Sequence, residues 1–131
     1  MVDSYAWIEI FLGSEKGARS KRMIEEAEEA VTPDIVLAEI ARKYLREGVS
    51  ETEVRARLDA VQSATIVSAI DATIGTRSAE AFLELAEKAA KQRLQSPSLF
   101  DAIVLATARS HQAKVITGDE HLVGLPEVMS I

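Results

Sequence analysis

The chain has 131 residues, a formal net charge of −6 and no cysteine. That length suits one domain over residues 1–131 with a core of its own, and the missing cysteines exclude disulfides, thiolate catalysis and zinc–thiolate sites together. The acidic balance excludes nucleic-acid binding by bulk positive charge, so a phosphate-bearing ligand would need a bound cation or a partner chain to offset repulsion.

Val2 opens a first short strand that ends at or just after Asp3. Only Met1 and Val2 precede that acid, so the strand is expected to fray and to hold Asp3 loosely. The start shows no basic region followed by an apolar run, and no segment is long enough to span a bilayer, so a cytoplasmic protein is expected. Ala6 to Leu12 reads as a short apolar helix that Gly13 terminates. Ser14 caps a helix to about Glu29, with Ala18, Met23, Ile24 and Ala27 inward and a charged outer face.

Ala30 and Val31 make a brief strand, and Thr32-Pro33 reads as an N-cap followed by proline at the first helical position. The helix from Asp34 to Leu45 carries Glu39 inside an apolar run, and Gly48 ends it. Ser50-x-x-Glu53 reads as a capping box that opens a helix to about Gln62. Thr65-Ile66-Val67 is β-branched and predicts a buried strand. Asp71 caps a longer helix, Ala72 to about Leu94, with Phe82, Leu85, Ala86 and Ala89 as its apolar stripe. Ser98 caps an almost wholly apolar helix from Leu99 to Ala108. Lys114 to Thr117 is the clearest strand, and Val128 to Ile131 is the last. Short strands alternating with helices predict parallel pairing with right-handed crossovers, hence a three-layer α/β/α domain around a short-stranded parallel sheet.

Four acids stand where such a fold places function. Ligands bind beyond the carboxyl ends of the strands in an open parallel sheet. Asp3 and Asp119 end or follow strands, while Glu39 and Asp101 lie in the early turns of helices, so the four can converge. Ser98 and Asp101 also have the spacing of a capping box, which alone would explain that acid. Converging carboxylates repel one another unless a multivalent cation or raised pKa values relieve them. An all-oxygen donor set selects Mg²⁺ or Mn²⁺ over Zn²⁺, and no loop with acids at alternate positions favours Ca²⁺.

Four stretches, Asp3 to Glu9, Thr32 to Ile40, Ser98 to Ala108 and Val115 to Leu122, together resemble the PIN-domain family, specifically its VapC-type toxins. The resemblance spans the whole chain and keeps the motifs in order. It implies that Asp3, Glu39, Asp101 and Asp119 bind Mg²⁺ or Mn²⁺ in an endoribonuclease, with the hydroxyls of Ser4 and Thr117 in support. It further implies strand order 3-2-1-4-5, a homodimer, an RNA substrate and a cognate antitoxin protein that inserts a segment into the active-site groove.

Water activated by one or two metal ions would then attack phosphorus and leave a 5′-phosphate and a 3′-hydroxyl, as in family members. Asp3, Asp101 and Glu39 are expected nearest the metal, while Asp119 either binds a second ion or holds a water. His111 reads as a helix C-terminal residue; His121, two residues after Asp119, could approach the site, with a solvent-facing loop position the plainer reading. Glu9 could face the groove. Arg42, Lys43 and Arg109 could touch RNA phosphates, with a solvated face the plainer reading for each. Trp7 and Phe100 read as core. The rivals are a non-catalytic PIN-like interaction module and a metal-dependent phosphohydrolase of the aspartyl-phosphate type. The latter wants an acid two residues after its nucleophile, where Tyr5 stands.

Overall fold

The computed structural model describes residues 1–131 as an α/β arrangement of six helices and four short strands. In chain order these are α1 (Ser4–Leu12), α2 (Glu15–Glu26), β1 (Val31–Pro33), α3 (Asp34–Arg46), α4 (Glu51–Ala64), β2 (Ile66–Ser68), α5 (Ala72–Gln92), α6 (Leu99–Ser110), β3 (Val115–Thr117) and β4 (Val128–Ser130). No helix is long and apolar enough to cross a membrane.

Two parallel pairs form, β1 with β2 and β3 with β4. Val2 joins them. It bridges Ile116 in parallel, and its N–H donates to the Val31 carbonyl at 2.8 Å. The spatial order is therefore β2, β1, Val2, β3, β4, which is the expected 3-2-1-4-5 with its central strand contracted to one bridge residue. Burial compensates for that brevity, because Val2 is fully buried and the Ile116 N–H donates to the Met1 carbonyl at 2.9 Å.

The core gathers on α6, where every residue from Ala102 to Ala108 is buried. Val36 and Ile40 of α3, Leu85 of α5, Val115 of β3 and Leu122 pack with it into one cluster. A helix apolar on all sides must be enclosed on all sides, and α6 meets α5, α3, β1 and β3. Its first turn is thereby held against the sheet edge.

Several local expectations change for identifiable reasons. Thr32 does not cap α3; Pro33 stands at the N-cap and no side chain caps that end. The Thr32 hydroxyl is committed elsewhere, accepting from Trp7 Nε1 at 3.1 Å and bonding the Thr65 hydroxyl at 2.8 Å, all of it buried. β2 is an edge strand, so Ile66 is 55% exposed instead of buried. Ser50 caps α4 through the Glu53 N–H, but the Glu53 carboxylate turns to Arg57 and the box stays half-made. No helix lies between β3 and β4; residues 118–127 connect them by turns.

α1 and α2 are pressed together at Gly17, where an added Cβ would stand 2.1 Å from the Glu9 carbonyl oxygen. That neighbour is backbone and cannot swing aside. Gly17→Ala is therefore expected to destabilise the protein by about 2–3 kcal/mol, as overpacking does. Urea denaturation should show a lower midpoint with unchanged slope, and an unaltered midpoint would contradict the contact.

Candidate metal centre

The four acids occupy one edge of the sheet. Asp3 follows Val2 and is the N-cap of α1, where backbone turns from bridge to helix and its Oδ1 accepts from the Ser4 N–H at 2.7 Å. Asp119 follows β3 by one residue. Glu39 lies on α3, which leaves β1 at the same edge, and Asp101 lies in the first turn of α6.

Asp3 is buried, at 5% exposure, and firmly held despite the contracted strand. The buried Thr117 hydroxyl donates to Asp3 Oδ2 at 2.7 Å and accepts from the Asp119 N–H at 3.0 Å. One hydroxyl thus ties the two sheet-edge acids together. Thr117→Val removes both bonds while keeping the shape. It is expected to destabilise the protein by about 1–3 kcal/mol and to loosen Asp3, whereas Thr117→Ser should recover most of the loss. Equal thermal midpoints for the valine and serine variants would contradict this role.

Asp101 serves the capping box and the site at once. Its Oδ2 accepts from both the N–H and the hydroxyl of Ser98, at 2.7 and 2.8 Å. Its Oδ1 accepts nothing from the chain. Asp119 is divided in the same way: Oδ1 accepts from the His121 N–H at 2.8 Å, and Oδ2 is without a protein donor. Each acid therefore has one oxygen fixed and one available.

Burial and mutual repulsion raise the proton affinity of Asp3, Glu39 and Asp101. The Asp3 carboxyl is pushed up to about 6, chiefly by desolvation, with the charges of Asp119 and Asp101 adding and the bonds from Thr117 and Ser4 opposing. Glu39 is pushed up to about 7, again mainly by burial, with the Ser4 hydroxyl opposing and Asp3 and Asp101 adding. Asp101 is also raised, by burial above all, against the lowering pull of Ser98. Asp3 thus feels the charges of Asp101 and Asp119, Asp101 that of Asp119, and Glu39 those of Asp3 and Asp101. No lysine or arginine forms an ion pair with any of them.

The donor group close enough to share one ion is Asp101, Asp119 and His121, whose ligand atoms lie within 4.8 Å of one another; Asp3 and Glu39 are not part of it. His121 is the member that the plainer sequence reading left in solvent. Its side chain is only 14% exposed, with Nδ1 3.2 Å from Asp119 Oδ1 and Nε2 3.0 Å from the Gln95 carbonyl. Burial lowers its proton affinity most, but the Gln95 carbonyl, Asp119 and Asp101 outweigh that and the net shift is upward. The i, i+2 spacing from Asp119 was the available signal, since the turn folds the ring back onto the acid.

Other sequence candidates fall away from the site. Glu9 accepts from the Ser14 hydroxyl at the α1–α2 turn. Arg109 is consumed by Glu84, at 2.6 and 2.9 Å, and by Glu127 at 2.7 Å. His111 bonds the Ser68 hydroxyl. Trp7 is core as expected, whereas Phe100 is half-buried and the Arg42 guanidinium stands 5.9 Å over its ring.

Carboxylates with unoccupied oxygens, raised pKa values among them and no lysine or arginine paired to them are what a divalent ion would stabilise. Both nitrogens of the one imidazole face acceptor oxygens, which favours its doubly protonated form, so the donors left to an ion are chiefly carboxylate oxygens. The residues present fit Mg²⁺ or Mn²⁺.

A family model described as PIN domain matches residues 1–127. No curated protein matches the chain by sequence. Among solved structures, the chain is similar to one described as a toxin–antitoxin complex from Klebsiella pneumoniae, with TM-score 0.66 and 24% identity over 98% of this chain and 93% of that one. It is also similar to VapBC2 from Rickettsia felis bound to a DNA fragment from their promoter, with TM-score 0.71 and 16% identity over 100% of this chain and 96% of the other.

Proposed function

The chain belongs to the PIN domain family, and from that premise we propose that it is a divalent-metal-dependent endoribonuclease, the toxin of a type II toxin–antitoxin pair. The observation that carries this reading is the grouping of four carboxylates at one sheet edge with no lysine or arginine paired to any of them, His121 beside Asp119 being the one basic group. A module that only bound a protein would gain nothing from like charges held together against their repulsion.

In this reading Asp101 and Asp119 would hold Mg²⁺ or Mn²⁺ through their available oxygens, Asp3 through the remaining lone pairs of its two hydrogen-bonded oxygens, and Glu39 completes the set. A divalent ion there supplies Lewis acidity, lowering the pKa of water and offsetting negative charge on phosphoryl oxygens. The chain's own groups do the positioning. Thr117 and Ser4 fix Asp3, Ser98 fixes Asp101, and His121 fixes Asp119, so the donors are aimed before substrate arrives and little reorganisation is needed at the moment of reaction. Glu39, with its raised pKa, is suited to accept a proton from attacking water or to return one to the leaving oxygen near neutral pH.

The cognate antitoxin is the proposed protein partner, on the likeness to two toxin–antitoxin complexes. A homodimer and a cytoplasmic location complete the reading. The test is cleavage of cellular RNA by purified protein. Cleavage in Mn²⁺ that chelator abolishes and added Mn²⁺ restores, giving 5′-phosphate ends, is the expected result. Cleavage at the same rate in chelator would overturn the metal-dependent reading.

A further inference from the structure

One cleft opens at Glu39. It has a volume of about 420 Å³, and Ser4 and Glu39 line it together with Arg42, Lys43 and Arg46. Glu39, Arg42 and Arg46 fall at i, i+3 and i+7 along α3, which puts them on one helical face over about 10 Å of axis at ~1.5 Å per residue. The cations in the cleft are not equivalent. Lys43 is paired with Glu47 one turn on. Arg46 makes no ion pair or hydrogen bond, and Arg42 makes none beyond its approach to the Phe100 ring.

Most arginines elsewhere are engaged. Arg55 and Arg57 pair with acids on their own helix, Arg109 pairs with two glutamates, and Arg19 and Arg77 bond oxygens of neighbouring segments. Arg22 and Arg93 are also unpaired, but neither lines the cleft at Glu39. In a chain of net charge −6, two unpaired guanidinium groups in the cleft that holds Glu39 and the Lys43–Glu47 pair form a local reversal of sign. A guanidinium presents a donor fork that matches phosphate oxygens, and its affinity for them does not depend on which base is attached.

Resting on the nuclease reading above, we propose that Arg42 and Arg46 hold the sugar–phosphate backbone of the RNA strand on the α3 side of the scissile phosphate. Arg42 is the inner contact, steadied by the Phe100 ring, and Arg46 the outer one. A stacked strand rises ~3.4 Å per nucleotide, so the face from Glu39 to Arg46 covers about three nucleotides. Both are positioning residues that set where the strand lies relative to the acids.

The test is fluorescence anisotropy of a short labelled single-stranded RNA of mixed sequence in Mg²⁺, read across a range of salt before cleavage proceeds, with cleavage followed in parallel in Mn²⁺. Arg46→Gln and Arg42→Gln are each expected to weaken binding about fivefold at ~0.1 M salt and to flatten the plot of log affinity against log salt by about 0.7, the increment for one phosphate contact on a single strand. Arg42→Lys should keep the slope, and Arg22→Gln, on the far helix α2, should match the wild type in both readings. Thermal melts identify any variant that fails to fold, and Arg46, which touches no other side chain by a polar contact, keeps the test open if Arg42→Gln unfolds. Wild-type affinity and slope in folded Arg46→Gln would overturn the proposal. So would unchanged RNA binding with lost affinity for a poly-glutamate peptide, which would assign the arginines to a protein ligand. Wild-type cleavage with unaltered variant binding removes the strand path alone. Loss of binding in the variants with no cleavage by the wild type keeps the path and removes the nuclease reading.

Discussion

Asp101→Asn is expected to reduce Mn²⁺-dependent RNA cleavage by about 10³-fold or more, while leaving the fold intact. The substitution is nearly isosteric, and an asparagine carbonyl can still accept from the Ser98 N–H and hydroxyl, so the start of α6 keeps its cap. What disappears is one negative charge among the converging carboxylates, and with it a donor to the divalent ion. In the metal-free protein the same loss relieves repulsion, so the variant should melt at the wild-type temperature or slightly above. A variant that melts normally and cleaves at the wild-type rate would remove Asp101 from the centre and leave it as a helix cap only.

Metal-free protein is expected to lose stability as pH rises from about 5 to 8, and a divalent ion should restore it at pH 8. The sign follows from proton binding. Asp3 titrates at about 6 in the native state against an ordinary value of 3.8, so between those values the native state holds a proton that the unfolded chain has released. Stability is then full below the unfolded value and falls as pH rises through the native one. For Asp3 a raise from 3.8 to about 6 corresponds to about 3 kcal/mol over the whole window, of which about 1.4 kcal/mol is lost above pH 5. Glu39, raised to about 7 but still partly solvated, adds a smaller loss and extends the window upward. An ion present at ~100 times its dissociation constant would return about 2.7 kcal/mol, a rise of ~10 °C in melting temperature for a chain of this size. Near pH 5 the protons occupy the same oxygens, and the metal-induced rise should shrink to a few degrees. Asp3→Asn should flatten the pH profile. Stability that increases steadily from pH 5 to 8 without metal would contradict the raised carboxyls.

The elements that specify themselves by local chemistry were legible in the sequence. Ser14, Ser50, Asp71 and Ser98 all cap the helices they precede, because a short polar side chain before an apolar-periodic run has little else to do. The placing of the acids at one sheet edge was legible because Asp3 and Asp119 sit at strand ends and Asp101 in a helix first turn, with Glu39 one turn further into α3. What was not legible came from partners distant in sequence. Thr32 looks like a cap until Trp7 and Thr65 claim its hydroxyl, and Arg109 looks free until Glu84 and Glu127 close on it. His121 looks like a surface residue until the Gln95 carbonyl packs over it. The first strand was expected to leave Asp3 loose. It does contract to one bridge, but Thr117, far along the chain, supplies the hold that the strand lacks.

That far-separated acids form one divalent-ion centre is tested most directly by diffraction from crystals soaked in Mn²⁺, measured at the manganese absorption edge. The account predicts an anomalous peak bounded by carboxylate oxygens of Asp3, Asp101 and Asp119. An empty recess between those carboxylates, with manganese bound elsewhere or not at all, would contradict it.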